Sequence, residues 1–169
     1  MANKHTVIVI VSIIVIASSL GYSSLNLISA NNLHFKWASD FDYLSVLYGK
    51  NMVACNGSAY PASFSKYSFT IFYDSDQIGK FTTSGAVVQP NSEANISGKF
   101  AADDKQVSQM FFSFLDTELH GTDVTRIDAD KMNVIAVLDY TILGAIPLSI
   151  TQEYSGQEFL DLMNNDTIC

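Results

Sequence analysis

Charge is what this sequence has least of. Charged side chains make up 15% of its 169 residues, well below the usual quarter, and only nine are Lys or Arg. Those nine are scattered singly, and the formal net charge is −8. Holding nucleic acid by its phosphates takes clustered cations, so that class of partner is excluded. Histidine is scarce too: three residues, none with the His/Cys spacing of a zinc site. No Gly-x-Ser-x-Gly elbow and no glycine-rich phosphate loop occurs. Catalysis needs convergent groups of tuned acidity, and none is visible. The expectation is a protein that is not an enzyme, with no catalytic residue, no cofactor and no metal. Hydrophobic residues reach 48%, which excludes a disordered chain.

The longest run without charge lies at the N-terminus. After "MANKH", no Asp, Glu, Lys, Arg or His occurs from Thr6 to Leu33. Val7 to Ala17 is the most apolar part, and the character continues to Ile28. A bilayer core takes about 20 apolar residues, so residues 1–30 are expected to be a transmembrane anchor. Ser18, Ser19, Ser23, Ser24 and Asn26 weaken its second half. The alternative is a signal peptide cleaved after "ASS", leaving a secreted protein. Lys4 and the terminal amine favour an N-terminus inside and a domain outside. Cys55 and Cys169, the only cysteines, suit an oxidising space and are the candidate disulfide. The alternatives are a buried thiol at Cys55, and Cys169 free or paired between chains. Asn56, Asn95 and Asn165 each head an acceptor triplet for glycosylation.

Residues 31–160 read as one domain of strands, and 161–169 as a polar tail, with a short helical turn expected in "SGQEFLDLMNNDTIC". In "FSKYSFTIFYD", Tyr67, Phe69, Ile71 and Tyr73 alternate with polar residues, the period of a strand with one buried face. Asp74-Ser75-Asp76 then reads as a hairpin turn. A metal loop on Asp74 and Asp76 is the rival, but calcium usually needs six or more oxygens. "MNVIAVLDYTIL" puts Val134, Ala136, Leu138, Tyr140 and Ile142 on one face, with Asp139 on the other. Pro147 marks an edge strand or bulge. One segment changes period: Val107, Met110, Phe111, Phe114, Leu115 and Leu119 predict a helix from Asp103 to Leu119. Its expected N-cap is Asp103 with Gln106 as partner, and Gly121 lies past its end. His120 suits that helix's negative pole, while Asp116, Glu118 and "DADK" (Asp128 to Lys131) read as solvated. The pattern is mainly β: an immunoglobulin- or fibronectin-III-like sandwich with one helix.

The order of segments resembles the group 2 late embryogenesis abundant proteins, which carry the water-stress and hypersensitive-response domain. "NGSAYPASFSKYSFTIFYDSDQIGKF", with its Ile78-Gly79 pair, is similar to that family's early strand, turn and hairpin. "VVQPNSEANISGKF" and "LDYTILGAIPLSI" resemble its later strands, and the predicted helix sits where the family has one. The family often has Asn-Pro after its second strand; this chain has Asn56-Gly57. The resemblance implies a sandwich with no shared catalytic residues and a protective role for membranes or proteins under water stress. The other expectation is a binding module for a hydrophobic ligand, or an accessory subunit with a membrane-protein or lipid partner.

Overall fold

The structure is a computed structural model and describes residues 3–39, 49–104, 106, 108, 128–142 and 145–163. Helix α1 (Lys4–Asn31) leads into strands β1 (Leu33–Trp37), β2 (Lys50–Asn56), β3 (Ala62–Phe64), β4 (Lys66–Tyr73), β5 (Asp76–Thr83), β6 (Ala86–Val88), β7 (Ser92–Ala102), β8 (Met132–Ile142) and β9 (Ile146–Ser155). A 3-10 turn (Ala129–Lys131) precedes β8, and helix α2 (Gly156–Met163) follows β9.

The two strongest alternations in the sequence become the centre of the fold. β4 buries Tyr67, Phe69 and Ile71, and β8 buries Met132, Val134, Ala136, Leu138 and Tyr140. They pair antiparallel from Lys66↔Asp139 to Tyr73↔Met132. Around them lies one seven-stranded antiparallel sheet, ordered β1-β2-β7-β5-β4-β8-β9, with β3 and β6 as a separate pair. Asp74 and Ser75 have φ of 51° and 73°, the left-handed pair of a two-residue hairpin turn between β4 and β5. Pro147 lies in β9, an edge strand, where its missing N–H costs no ladder bond.

The sheet curls upon itself. Laid flat, β1 and β4 would stand about 19 Å apart, four strand spacings. Instead the Phe35 and Tyr67 rings stack at 3.9 Å, and Trp37 meets Phe81 edge-on at 5.5 Å. Between the paired strands β5 and β7, aromatic rings fold over glycines. A Cβ on Gly98 would stand 2.3 Å from the Phe81 ring, and one on Gly79 2.4 Å from Phe100. Each aromatic ring therefore lies over the other strand's glycine, which explains the Gly in the Ile78-Gly79 pair.

β5 carries a bulge at Ile78, since Ile71 pairs with Gly79 and Phe72 with Gln77. The Ile78 carbonyl accepts from Asp103 N–H at 3.3 Å and Ser108 Oγ–H at 2.7 Å. Gln106 and Ser108 are helical. Gln106 N–H donates to Asp104 Oδ1 at 2.8 Å and Ser108 N–H to Asp104 O at 3.0 Å, so Asp104 rather than Asp103 caps this helix. The remainder of the expected helix, with Val107, Met110 to Leu119, His120 and Gly121, lies outside the described residues.

The chain's end departs from expectation. The short helical turn expected in "SGQEFLDLMNNDTIC" is helix α2, residues 156–163, which reaches into the expected tail of 161–169. Glu158 Oε2 accepts Ser155 N–H at 2.9 Å and lies 2.8 Å from Ser155 Oγ, a capping box. These bonds to Ser155 hold the Glu158 carboxyl below its usual range. The helix buries Phe159 and Met163, and Phe159 meets Phe69 at 4.8 Å. α2 packs on β1, β8 and β9, closing the seam that the curl leaves between the two sheet edges.

Candidate functional site at the helix–domain junction

α1 is one unbroken helix with two environments. It is long and apolar enough to cross a membrane. Val7 to Val11 and Ile13 to Ile16 project outward, each roughly half exposed or more. Ser23, Asn26, Ser29 and Ala30, by contrast, are buried. Spacings of three and four residues put these on one face, so the last turns belong to the domain. α1 ends at Asn31, one residue past the expected boundary, with its last turns packed on the domain. Ser19 and Ser24, expected to weaken the span, return their hydroxyls to the Val15 and Leu20 carbonyls at 2.8 and 2.9 Å. Satisfied in this way, a serine can sit in an apolar helix.

Asn26 docks the helix like a strand neighbour. Its Oδ1 accepts Ser63 N–H at 2.7 Å and Ser63 Oγ–H at 3.0 Å, and its Nδ2 donates to Ser63 O at 3.4 Å. One turn on, Ser29 Oγ lies 2.8 Å from Ser58 Oγ. Ser58 in turn joins the Asn56 hub. Asn56, fully buried, donates Nδ2 to the carbonyls of Tyr60, Val88 and Gln89 at 2.8, 3.1 and 3.1 Å. Its Oδ1 accepts Ser58 N–H at 3.0 Å. One amide thus organises two loops and, through Ser58, the end of the membrane-length helix.

Two hollows flank this junction. An open cleft of about 720 Å³ runs between α1 and the domain base, bounded by Val15, Ile16, Leu20, Asn26, Ser63 and Thr141. A smaller cavity of about 200 Å³ lies in the seam, bounded among others by Phe35, Tyr67, Leu138, Ile150 and Tyr154. Burial pushes the Tyr67 hydroxyl well up, with Tyr154 adding to it. Burial does the same to Tyr154, with Glu158 adding. Both hydroxyls therefore stay protonated at neutral pH, so they give this seam hydroxyl donors in an apolar wall, and His34 also belongs to its lining.

The residues singled out in the sequence do not converge. Asp74 and Asp76 are exposed at the β4–β5 hairpin tip. Asp139, on the outer face of β8, pairs with Lys66 at 2.8 Å and accepts Ser149 Oγ–H at 2.6 Å. Lys66 first, then Ser149, holds its carboxyl below the usual range. Asp128 Oδ1 accepts Asp130 N–H at 3.1 Å, as a turn would have it. His5 and His34 are exposed on α1 and β1. Cys55 is buried in β2 and disulfide-bonded, while Cys169 lies outside the described residues. Asn95 is exposed on β7, and Asn165 lies outside the described residues. Asn56 corrects an expectation: its amide nitrogen is buried against three carbonyls, so the folded domain has no room for a glycan there.

Sequence reasoning missed the junction, and it read α2 only as a short helical turn in the polar end of the chain. The signal for α2 was present, as Ser155-x-x-Glu158 followed by Phe159 and Met163 at helical spacing. The signal for the junction was not, because Asn26 and Ser63 are 37 residues apart. No family model and no curated protein matches this chain. Among solved structures, a crystal structure of a protein from Archaeoglobus fulgidus is similar at 12% identity over 73% of this chain and 94% of that chain, with a TM-score of 0.34. At that score the likeness supports no argument about fold detail or function.

Proposed function

We propose that this chain is a non-enzymatic domain held outside the cell against a bilayer by an uncleaved N-terminal helix, with the N-terminus inside. The observation that carries this reading is the continuity of α1, whose apolar length runs straight into the buried face of Ser23, Asn26, Ser29 and Ala30. A helix fixed at its base sets the domain's distance from the membrane. Carbonate extraction and N-terminal sequencing test it: the chain stays in the pellet and starts near Met1. A soluble chain starting near Leu20 replaces the anchor with a signal peptide.

The curled sheet is taken here as an immunoglobulin- or fibronectin-III-like sandwich, with β1, β2 and β7 folded over β5, β4, β8 and β9. The resemblance to the water-stress and hypersensitive-response domain adds a role in protecting membranes. Vesicles carrying the full chain should then leak less entrapped dye through drying and rehydration than empty vesicles; equal leakage removes that role. The Cys55–Cys169 bridge is part of the same proposal. α2 lies on β1, beside β2, and the six residues after Met163 reach about 20 Å, enough to cross one strand. The seam cavity favours a second reading, a module for a small apolar ligand. A thermal shift with such ligands, abolished by Leu138→Trp, tests it.

A further inference from the structure

The β8–β9 hairpin overhangs the rest of the sheet. β4 pairs with β8 only as far as Asp139. Beyond it, β8 and β9 continue from Asp139↔Ser149 to Ile142↔Ile146, roughly 10 Å, with no further partner in this sheet and with β3 packed beside β8. No Asp, Glu, Lys, Arg or His occurs from Tyr140 to Gln152. Ile146 is 53% exposed and Leu148 38%, and Pro147 between them is exposed as well. The Lys66–Asp139–Ser149 cluster forms a polar collar where this apolar tip begins.

The neighbour of the tip says what covers it. Thr141 bounds the same cleft as Val15, Ile16 and Leu20 of α1. Counting about 20 residues of span from Thr6 brings the far edge of the hydrocarbon to Leu25. The next residue, Asn26, is the one bonded to Ser63. The domain base therefore sits at the bilayer surface, and whatever faces Val15 to Leu20 lies below it. The tip is chemically fit for that depth. Ala145 N–H is satisfied by Ile142 O at 3.1 Å, and Pro147 has no N–H to leave unpaired.

We propose that the β8–β9 hairpin tip, through Ile146 and Leu148, inserts into the interface of the same bilayer that α1 crosses. It is a second lipid contact that fixes the domain's tilt, and it rests on the anchor reading above. The test uses the full chain reconstituted in phosphatidylcholine vesicles whose acyl chains carry bromine near the headgroup. Added tryptophans are read as increments over the native Trp37. Leu148→Trp should be quenched at least about twofold more than Gln77→Trp, which sits beside the opposite hairpin tip. Val15→Trp, at the middle of the span and read in a second set of vesicles with bromine near the acyl-chain ends, reports the anchor. If Val15→Trp is unquenched, the anchor reading fails and this proposal with it. If Val15→Trp is quenched but Leu148→Trp only matches Gln77→Trp, the anchor stands and the hairpin contact is overturned; a protein partner at the tip would give that same result. Ile146→Trp, read in the same way, replaces Leu148→Trp if that variant does not fold.

Discussion

Two hairpins of one sheet end in opposite chemistries. The β4–β5 tip is Asp74-Ser75, acidic and exposed, with Asp74 N–H tied to Lys131 O at 3.0 Å. The β8–β9 tip carries Ile142, Ile146, Pro147 and Leu148 and no charge. Because β4 and β8 are antiparallel partners from Lys66↔Asp139 to Tyr73↔Met132, the two tips lie at opposite ends of the sheet. Their pairing rules are the same, so the difference lies in what surrounds each end. One end meets water and is held by its own turn and by the bond to Lys131. The other meets α1, and there the polar bonds are long-range ones between helix and strand.

That contrast can be broken most severely at the α1 end. Asn56→Ala should cost about 4 kcal/mol in denaturant unfolding, because it strands three carbonyls and one N–H in a buried setting. A loss below 1 kcal/mol would mean that water replaces the amide and the hub is dispensable. Asn26→Leu keeps the volume but removes the bonds to Ser63, for an expected loss of about 2 kcal/mol in detergent. It should also raise protease sensitivity between α1 and β3, which a change confined to the core would not do.

The distal tip should respond in the opposite sense. Asp74→Asn with Ser75→Gly installs the residues that left-handed turn positions favour, and should stabilise by about 1 kcal/mol. Destabilisation would show that the acidic side chains have a task beyond the turn. The smallest effect is at the collar. Lys66 and Ser149 lower the Asp139 pKa, so the folded state favours the carboxylate. Its contribution is complete above the ordinary aspartate range, near pH 4, and fades as pH falls from there through the lowered folded value. For a partly exposed pair the size is about a few tenths of a kcal/mol. Asp139→Asn should lower stability by that amount at neutral pH and leave it unchanged below the lowered folded value, which flattens the acid limb of the stability curve.

The sequence by itself determined whatever follows from local spacing. Alternation in 66–73 and 132–142 set which face of β4 and β8 is buried, because successive side chains of a strand must point oppositely. Asp74-Ser75 stood out as a turn and Pro147 as an edge, since each follows from one residue's own backbone chemistry. Tertiary structure alone decided the rest. Asn56-Gly57-Ser58 reads equally as a glycosylation triplet or a hydrogen-bonded turn, and only the arrival of Val88 and Gln89 made it a buried hub. Asn26 read as a flaw in an apolar helix until Ser63 came to meet it, and Ser29, one turn on, meets Ser58. A polar side chain in such a helix is a cost or a bond according to its partner, and here the partners lie 29 and 37 residues away.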